Sequence, residues 1–385
     1  MAGRVESRMH QRIASAANGR RQDLGQHLEE LMGELKKSQE SSRGASNANT
    51  AEILNNLGHV YKGMGDMPKA KEYYEKSLRM NQELHKGNHP NIADLITNIG
   101  SVNRATGELQ KAKDCFDKSL RMNQELYEGN HPVIAGSLNN LGTIYDAMDE
   151  LEKARDYYER SLRMNQELHR GNHPFVASLL NNLAGVNKLI GDIPRAKDYY
   201  EKSLKMNQEL YQGVHPDIAL LYNNLGGLYQ HMGDFQKARD MFDRSLKMNQ
   251  EIFQGPHPAV AGSLNNLGKA YQALGDLAKA KEYYENSLEM NQEIYEGNNH
   301  PHTASILNNI GGVYRASGDL RKAKDYYERS LKMNQEMHRG NHPAIASVMN
   351  SLGKVYEAMG DQQRAHQYFD KASRMNEEMF GPSNR

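Results

Sequence analysis

The chain has 385 residues, 38% of them hydrophobic, with one cysteine, no tryptophan and a mean hydropathy of −0.84. Its 48 Lys and Arg are matched by 48 Asp and Glu. The zero net charge speaks against nucleic-acid binding, where Lys and Arg must neutralise phosphates. No apolar run approaches the ~18 residues a membrane span needs, and Cys115 has no second cysteine to bridge to, so we expect a soluble, cytoplasmic protein.

Residues 1–22 hold Arg4, Arg8, Arg12, Arg20 and Arg21 against Glu6 alone. This reads as a flexible basic tail, although an Arg-rich, acid-poor start is also the composition of a transit peptide. Leu24, Leu28, Leu31 and Leu35 mark a short amphipathic helix over 23–40, with Gly25 and Gly33 weakening it. This helix either caps the first repeat unit or pairs with another chain. Residues 41–47 are Ser, Arg, Gly, Ala and Asn and read as a linker.

From residue 48 to 380 one unit repeats. His-Pro recurs at His89, His131, His173, His215, His257, His300 and His342, every 42 residues except for one step of 43. Asn-Asn-Leu-Gly or a near variant recurs in step from Asn55 to Asn350, giving eight units. A fixed period in this range means a repeat architecture, so length does not count domains here. Residues 381–385 are left as a C-terminal tail.

Each unit reads as two helices. In the third, Ile134, Leu138, Leu141, Tyr145 and Met148 are spaced 4, 3, 4 and 3, which is one face of a helix from Pro132 to Met148. Most units then carry Gly-Asp, a helix stop followed by a cap. The third has Asp149 in place of the glycine, which predicts a slightly strained left-handed turn. The second helix, about Pro194 to Leu210 in the fourth unit, holds an alanine at one position of every unit, Ala70 through Ala365. Tyr74, Tyr158, Tyr200, Phe242 and their equivalents follow one turn later. A lone helix pair cannot bury this apolar surface, so neighbours must stack. In the Met-Asn-Gln-Glu run, Asn81 falls beside the Tyr74 and Leu78 stripe and needs a partner, expected in the adjacent repeat.

The pattern of Leu57, Gly58, Tyr61, Gly65, Asp66, Ala70 and Tyr74 resembles the tetratricopeptide repeat, here lengthened from 34 to 42 residues. The Asn-Asn-Leu-Gly start and Gly-Asn-His-Pro join resemble the repeats of kinesin light chains. The resemblance implies an all-α, right-handed superhelical solenoid of eight helix-turn-helix units that binds other proteins. Kinesin light chains also carry a long N-terminal coiled coil, where this chain has about two heptads.

The first-helix face opposite the apolar stripe is where a guest would lie. It holds Gly136, Asn140, Thr143 and Ala147 in the third unit, and Leu220, Asn224, Gly227 and His231 in the fifth. Only Glu52, Asp94, Lys269 and Lys354 are charged along it, too few for a face that merely meets water. Crowding at an inward curve is the other reason for small residues there. Asn56, Asn98, Asn140, Asn182, Asn224, Asn266 and Asn309 form a ladder, and the eighth unit has Ser351. An amide can hold an extended backbone at its donor or its acceptor, and the family resemblance implies that role for these asparagines. Lys62, Arg104, Lys188 and Arg315 flank the ladder, opposed by Asp146 and Glu357, so an acidic peptide is favoured. Leu189 and Leu220 are apolar on this face and mark an anchor point for the guest.

The histidines of the His-Pro loops lie about one helix-packing distance apart, roughly 8–10 Å, too far for one metal ion, so they are read as loop caps. There is no phosphate loop, nucleophile elbow or zinc-protease motif, and each candidate polar residue recurs at the repeat period, unlike a catalytic site. The expectation is a non-catalytic scaffold or adaptor, with no cofactor and a protein or peptide partner. The alternatives are a structural solenoid self-associating through its ends or N-terminal helix, and a cargo adaptor like kinesin light chains.

Overall fold

The His-Pro step starts the first helix of seven repeats by one device. Proline occupies the first turn, where its missing N–H costs nothing, and the preceding histidine Nδ1 accepts the N–H two residues on, at 3.1–3.3 Å. Each of these rings also stacks on the residue that ends the previous helix, as His131 does on Tyr127 and His257 on Phe253, with centroids 3.9 and 3.4 Å apart. The histidines are therefore helix caps.

The computed structural model describes residues 23–41 and 46–381. These form seventeen helices, with no strand among the described residues. The first, α1, covers 23–41. Eight pairs follow, and the first four are α2 (Ala48–Gly63) with α3 (Met67–Leu84), α4 (Pro90–Ala105) with α5 (Leu109–Leu126), α6 (Pro132–Ala147) with α7 (Leu151–Leu168), and α8 (Pro174–Ile190) with α9 (Ile193–Tyr211). The others are α10 (Pro216–His231) with α11 (Phe235–Ile252), α12 (Pro258–Ala273) with α13 (Leu277–Ile294), α14 (Pro301–Ala316) with α15 (Leu320–Met337), and α16 (Pro343–Ala358) with α17 (Gln362–Phe380). The chain divides into two units, Met1–Leu210 and Tyr211–Arg385. Within each, a second helix packs on its pair mate and on the first helix of the next repeat. The expected basic tail over 1–22 lies outside the described residues, as do 42–45 of the linker and 382–385 of the C-terminal tail.

Between paired helices most turns carry a left-handed glycine, such as Gly191 at φ 94°, and Asp149 takes the same region at φ 60°. The aspartates after these glycines cap the second helices, as Asp234 Oδ1 does with the Lys237 N–H at 3.2 Å. Glu108 and Glu150 replace them in the second and third repeats and make no side-chain cap.

Inside a pair the fit is set by one glycine and one ring. A Cβ built on Gly142 would meet the Tyr158 ring at 2.6 Å, and Gly58, Gly226 and Gly268 stand in the same relation to Tyr74, Phe242 and Tyr284. The fourth repeat instead has Ala184, fully buried. A serine not anticipated from the pattern ties the two helices together. Ser77, Ser161, Ser203 and Ser330 donate to the carbonyls of Ala51, Ala135, Ala177 and Ala304 at 2.6–2.7 Å. The buried asparagine of the Met-Asn-Gln-Glu run turns back to this serine. Asn81, Asn165, Asn207, Asn291 and Asn334 donate to the serine carbonyl one turn earlier at 2.8–3.0 Å. The expected bond between repeats occurs where a serine follows, from Asn123 to Ser137 at 3.0 Å and from Asn249 to Ser263 at 3.1 Å. It also occurs as a longer contact from Asn91 to Asn81, at 3.5 Å. The nearer partner wins because an amide reaches its own preceding turn in an ordinary helical rotamer.

At the start of the first unit, Leu31 and Leu35 of α1 are buried against Ile53, Leu54, Leu57 and Val60. Ser38 Oγ lies 2.7 Å from Thr50 Oγ1. Ser46 bonds Glu83 just as Asn88 bonds Glu125, 37 residues on in both cases. Helix α1 thus takes the place of a second helix from a preceding repeat. Of the two roles open to it, the cap is the one in which its leucines are used.

Candidate peptide-binding face

The ladder asparagines are half-buried on the first helices, and most of their amides are engaged with one another. Asn98 donates to Asn55 at 3.4 Å and Asn182 to Asn139 at 3.5 Å. In the second unit Asn266 donates to Asn223 at 2.8 Å and Asn309 to Asn265 at 2.9 Å. Each bond runs from the ladder asparagine to the first asparagine of the tandem pair in the preceding repeat, so both positions are needed. The sequence carried the signal in the doubled Asn-Asn, while only the second residue was read as a rung. Each bond leaves the rung one N–H and its carbonyl oxygen. Asn140 differs because Thr97 stands where its acceptor would be, and Thr97 Oγ1 bonds Ser119 Oγ at 2.7 Å instead. Among the described residues the Asn140 amide has no partner. Asn224 has an interaction and is not a free rung.

Every Lys or Arg ion pair among the described residues starts from a second helix, as in Lys76–Glu72 at 2.6 Å, Lys202–Asp198 at 2.7 Å and Lys247–Asp243 at 2.6 Å. Lys62, Arg104, Lys188, Lys269, Arg315 and Lys354 on the first helices make none among the described residues. Burial and the nearby Arg104 guanidinium lower the Lys62 pKa, and burial lowers that of Lys269. Burial raises the pKa of the Asp94 and Asp146 carboxyls, and Asp149 adds to the effect on Asp146. Unit by unit the charge is uneven. In the first, Lys62, Arg104 and Lys188 stand against Glu52, Asp94 and Asp146, whereas in the second Lys269, Arg315 and Lys354 stand against Asp217 and Glu357. The basic excess expected for the whole face belongs to the second unit.

Leu189 is 60% exposed at the end of α8, and Leu220 is 49% exposed near the start of α10. They belong to different units, and Leu220 opens on a hollow. That cavity of about 350 Å³ lies between α10 and α12 with α11 behind it, and includes Leu220, Asn223, Phe253, Gly262 and Asn266 in its wall. Gly262 holds in α12 the register that Leu220 holds in α10, and a Cβ there would meet nothing within 4 Å. Phe253 and Gly262 were not singled out from the sequence, since a loop phenylalanine and a helix glycine have no signal of their own. His231 is exposed in the last turn of α10 beside exposed Met232 and does not reach this hollow's wall. Among the described residues no group of three or more His, Cys, Asp or Glu could hold a metal ion, and no helix is long and apolar enough to cross a membrane.

The sequence model of the tetratricopeptide repeat family (TPR_12) matches residues 49–125, 92–167, 133–209, 217–293, 264–336 and 302–378. Among curated proteins, none matches this chain. Among solved structures, BtubC (BKLC) from P. vanneervenii is 29% identical over 61% of this chain and 95% of its own, with a TM-score of 0.52. The apo quorum sensor NprR from B. thuringiensis is 15% identical over 92% and 99%, with a TM-score of 0.62. A putative kinesin light chain from Podosopora anserina is 20% identical over 54% and 97%, with a TM-score of 0.47. The likeness to NprR, below 25% identity, speaks for the fold alone.

Proposed function

We propose, on the premise that this chain belongs to the tetratricopeptide repeat family, that it is a non-catalytic scaffold binding an extended peptide on its first-helix face. The observation that carries this reading is the contrast in charge pairing. Most cations of the second helices, though not for instance Arg79, Lys118 or Arg121, are matched by carboxylates, usually three or four residues away, as solvated surface charges are. Those on the first helices make no ion pair among the described residues, and Lys62 and Lys269 are partly desolvated as well. A guest carboxylate supplies the missing partner. Rung groups left over from the ladder bonds, together with the free amide of Asn140, serve the guest backbone. The basic excess of the second unit favours an acidic segment there.

Selection from a displayed random-peptide library tests this. The intact chain is compared with an Asn140→Asp, Lys269→Glu double variant, which disturbs no side-chain bond among the described residues, and circular dichroism checks that it folds. Acid-containing peptides that bind the intact chain and not the variant support the reading. Peptides held equally by both move recognition to the second helices or the loops and overturn it.

A further inference from the structure

The hollow beside Leu220 is largely apolar, with an acidic residue at one end and a cation beyond the other. Ser245 donates to the Ala219 carbonyl at 2.9 Å and Asn249 to Ser263 Oγ at 3.1 Å, so these floor groups are already bonded. What remains open is Leu220, Phe253, Ala219 and Ala259 around the empty position over Gly262. At one end Asp217 lines the hollow, exposed in the first turn of α10, its carboxylate 3.7 Å from His215 Nδ1. Beyond the other end stands Lys269, three residues past Asn266 of the wall and so about 4.5 Å further along α12.

We propose that this hollow holds the apolar side chain of an extended peptide, with a cationic group of the peptide at Asp217 and a carboxylate at Lys269. The assignment rests on the reading of this face as a peptide site, and adds the chemistry of the occupant and its spacing. Asp217 shares its register with Ala259 of α12, ten residues before Lys269. At 1.5 Å per residue the two charges are ~15 Å apart along the helices. An extended chain advances about 3.3 Å per residue, so the peptide's opposite charges stand roughly four to five residues apart, with the apolar residue between them. A peptide with like charges at both ends meets repulsion at one of them. A ligand with a polar residue at the centre leaves Leu220 and Phe253 facing water.

Fluorescence anisotropy with labelled nonapeptides tests this. The probes are centred on Lys-Ser-Leu-Ser-Asp and on the reverse order, Asp-Ser-Leu-Ser-Lys. The controls replace the leucine with serine, or carry two acids or two bases. The expected result is that one of the opposite-charge orders binds at least tenfold more tightly than every control. Gly262→Leu, which fills the hollow, should abolish that advantage, and Lys269→Glu should shift preference to the two-base peptide. Binding that Gly262→Leu leaves unchanged, or a charge preference that Lys269→Glu does not move, overturns the assignment. If library selection yields ligands that the double variant loses while Gly262→Leu binds the probes as well as the intact chain, the peptide face stands and this occupant falls.

Discussion

Asn308 Oδ1 is buried without a hydrogen-bond partner, and the residue that should serve it is Ser351. Elsewhere in the ladder an asparagine 43 or 44 residues on donates to this position, as Asn266 does to Asn223 and Asn309 to Asn265. Ser351 is too short, and its hydroxyl bonds the Ser347 carbonyl at 3.2 Å. An orphaned buried acceptor costs about 1–3 kcal/mol relative to a paired one. Ser351→Asn should therefore stabilise the last two repeats by about 1 kcal/mol, read as slower hydrogen exchange in α14 and α16 and a higher thermal midpoint. Unchanged exchange there would show that the amide does not reach.

Two glycines of one helix should respond oppositely to alanine. In Gly142→Ala the new Cβ meets the Tyr158 ring at 2.6 Å, whereas at Gly136 nothing lies within 4 Å. Overpacking of this kind costs about 1–3 kcal/mol. Alanine at an open helix position gains roughly 0.5–1 kcal/mol over glycine. Denaturant titration of the two variants should place them on opposite sides of the parent chain. Ala184 shows that a repeat can carry the methyl when its own ring is placed for it, so a neutral Gly142→Ala would mean that Tyr158 shifts likewise.

The third repeat has two weak points at one turn. Asp149 holds φ 60°, and Glu150 makes no cap. Asp149→Gly relieves about 1 kcal/mol of left-handed strain. Glu150→Asp supplies the cap that Asp234 makes, typically worth about 1 kcal/mol. Each should raise the thermal midpoint, and because both act on one turn their sum tests coupling. A Glu150→Asp variant no more stable than its parent would show that the cap is not decisive there.

Stability should fall as pH drops through the histidine range. Burial lowers the pKa of the capping His89, His173, His257, His300 and His342, and a neighbouring histidine adds to this in all but His257. The unfolded chain then takes up protons first. The stabilisation is complete above the ordinary value of about 6.5 and is lost as pH falls through the lower folded values. Protonation also removes the Nδ1 acceptor that caps the helix. Thermal midpoints at pH 7.5 and 5.5 should differ, and replacing these five histidines with asparagine, which caps without titrating in this range, should shrink the difference. A pH dependence unaltered by the replacements would assign it to other groups.

The sequence by itself determined the period, the two helices of each repeat, their starts at His-Pro and their stops at Gly-Asp, and the left-handed Asp149. These are local: they follow from dihedral preferences and 3.6-residue periodicity within about twenty residues. It also located the face where side chains stay small and charges stay few. Tertiary structure decided which atoms on that face are left over. Asn140 is free and Asn182 is bonded because of Thr97 and Asn139, one repeat away, and Leu220 opens on a hollow only because Gly262 is its neighbour. The leucines of α1 gave no hint of whether another chain or the first repeat would cover them. Hydrogen-bond partners and cavities belong to pairs of residues about 40 positions apart. Near-identical repeats set their register, but single substitutions decide what each rung has to spare.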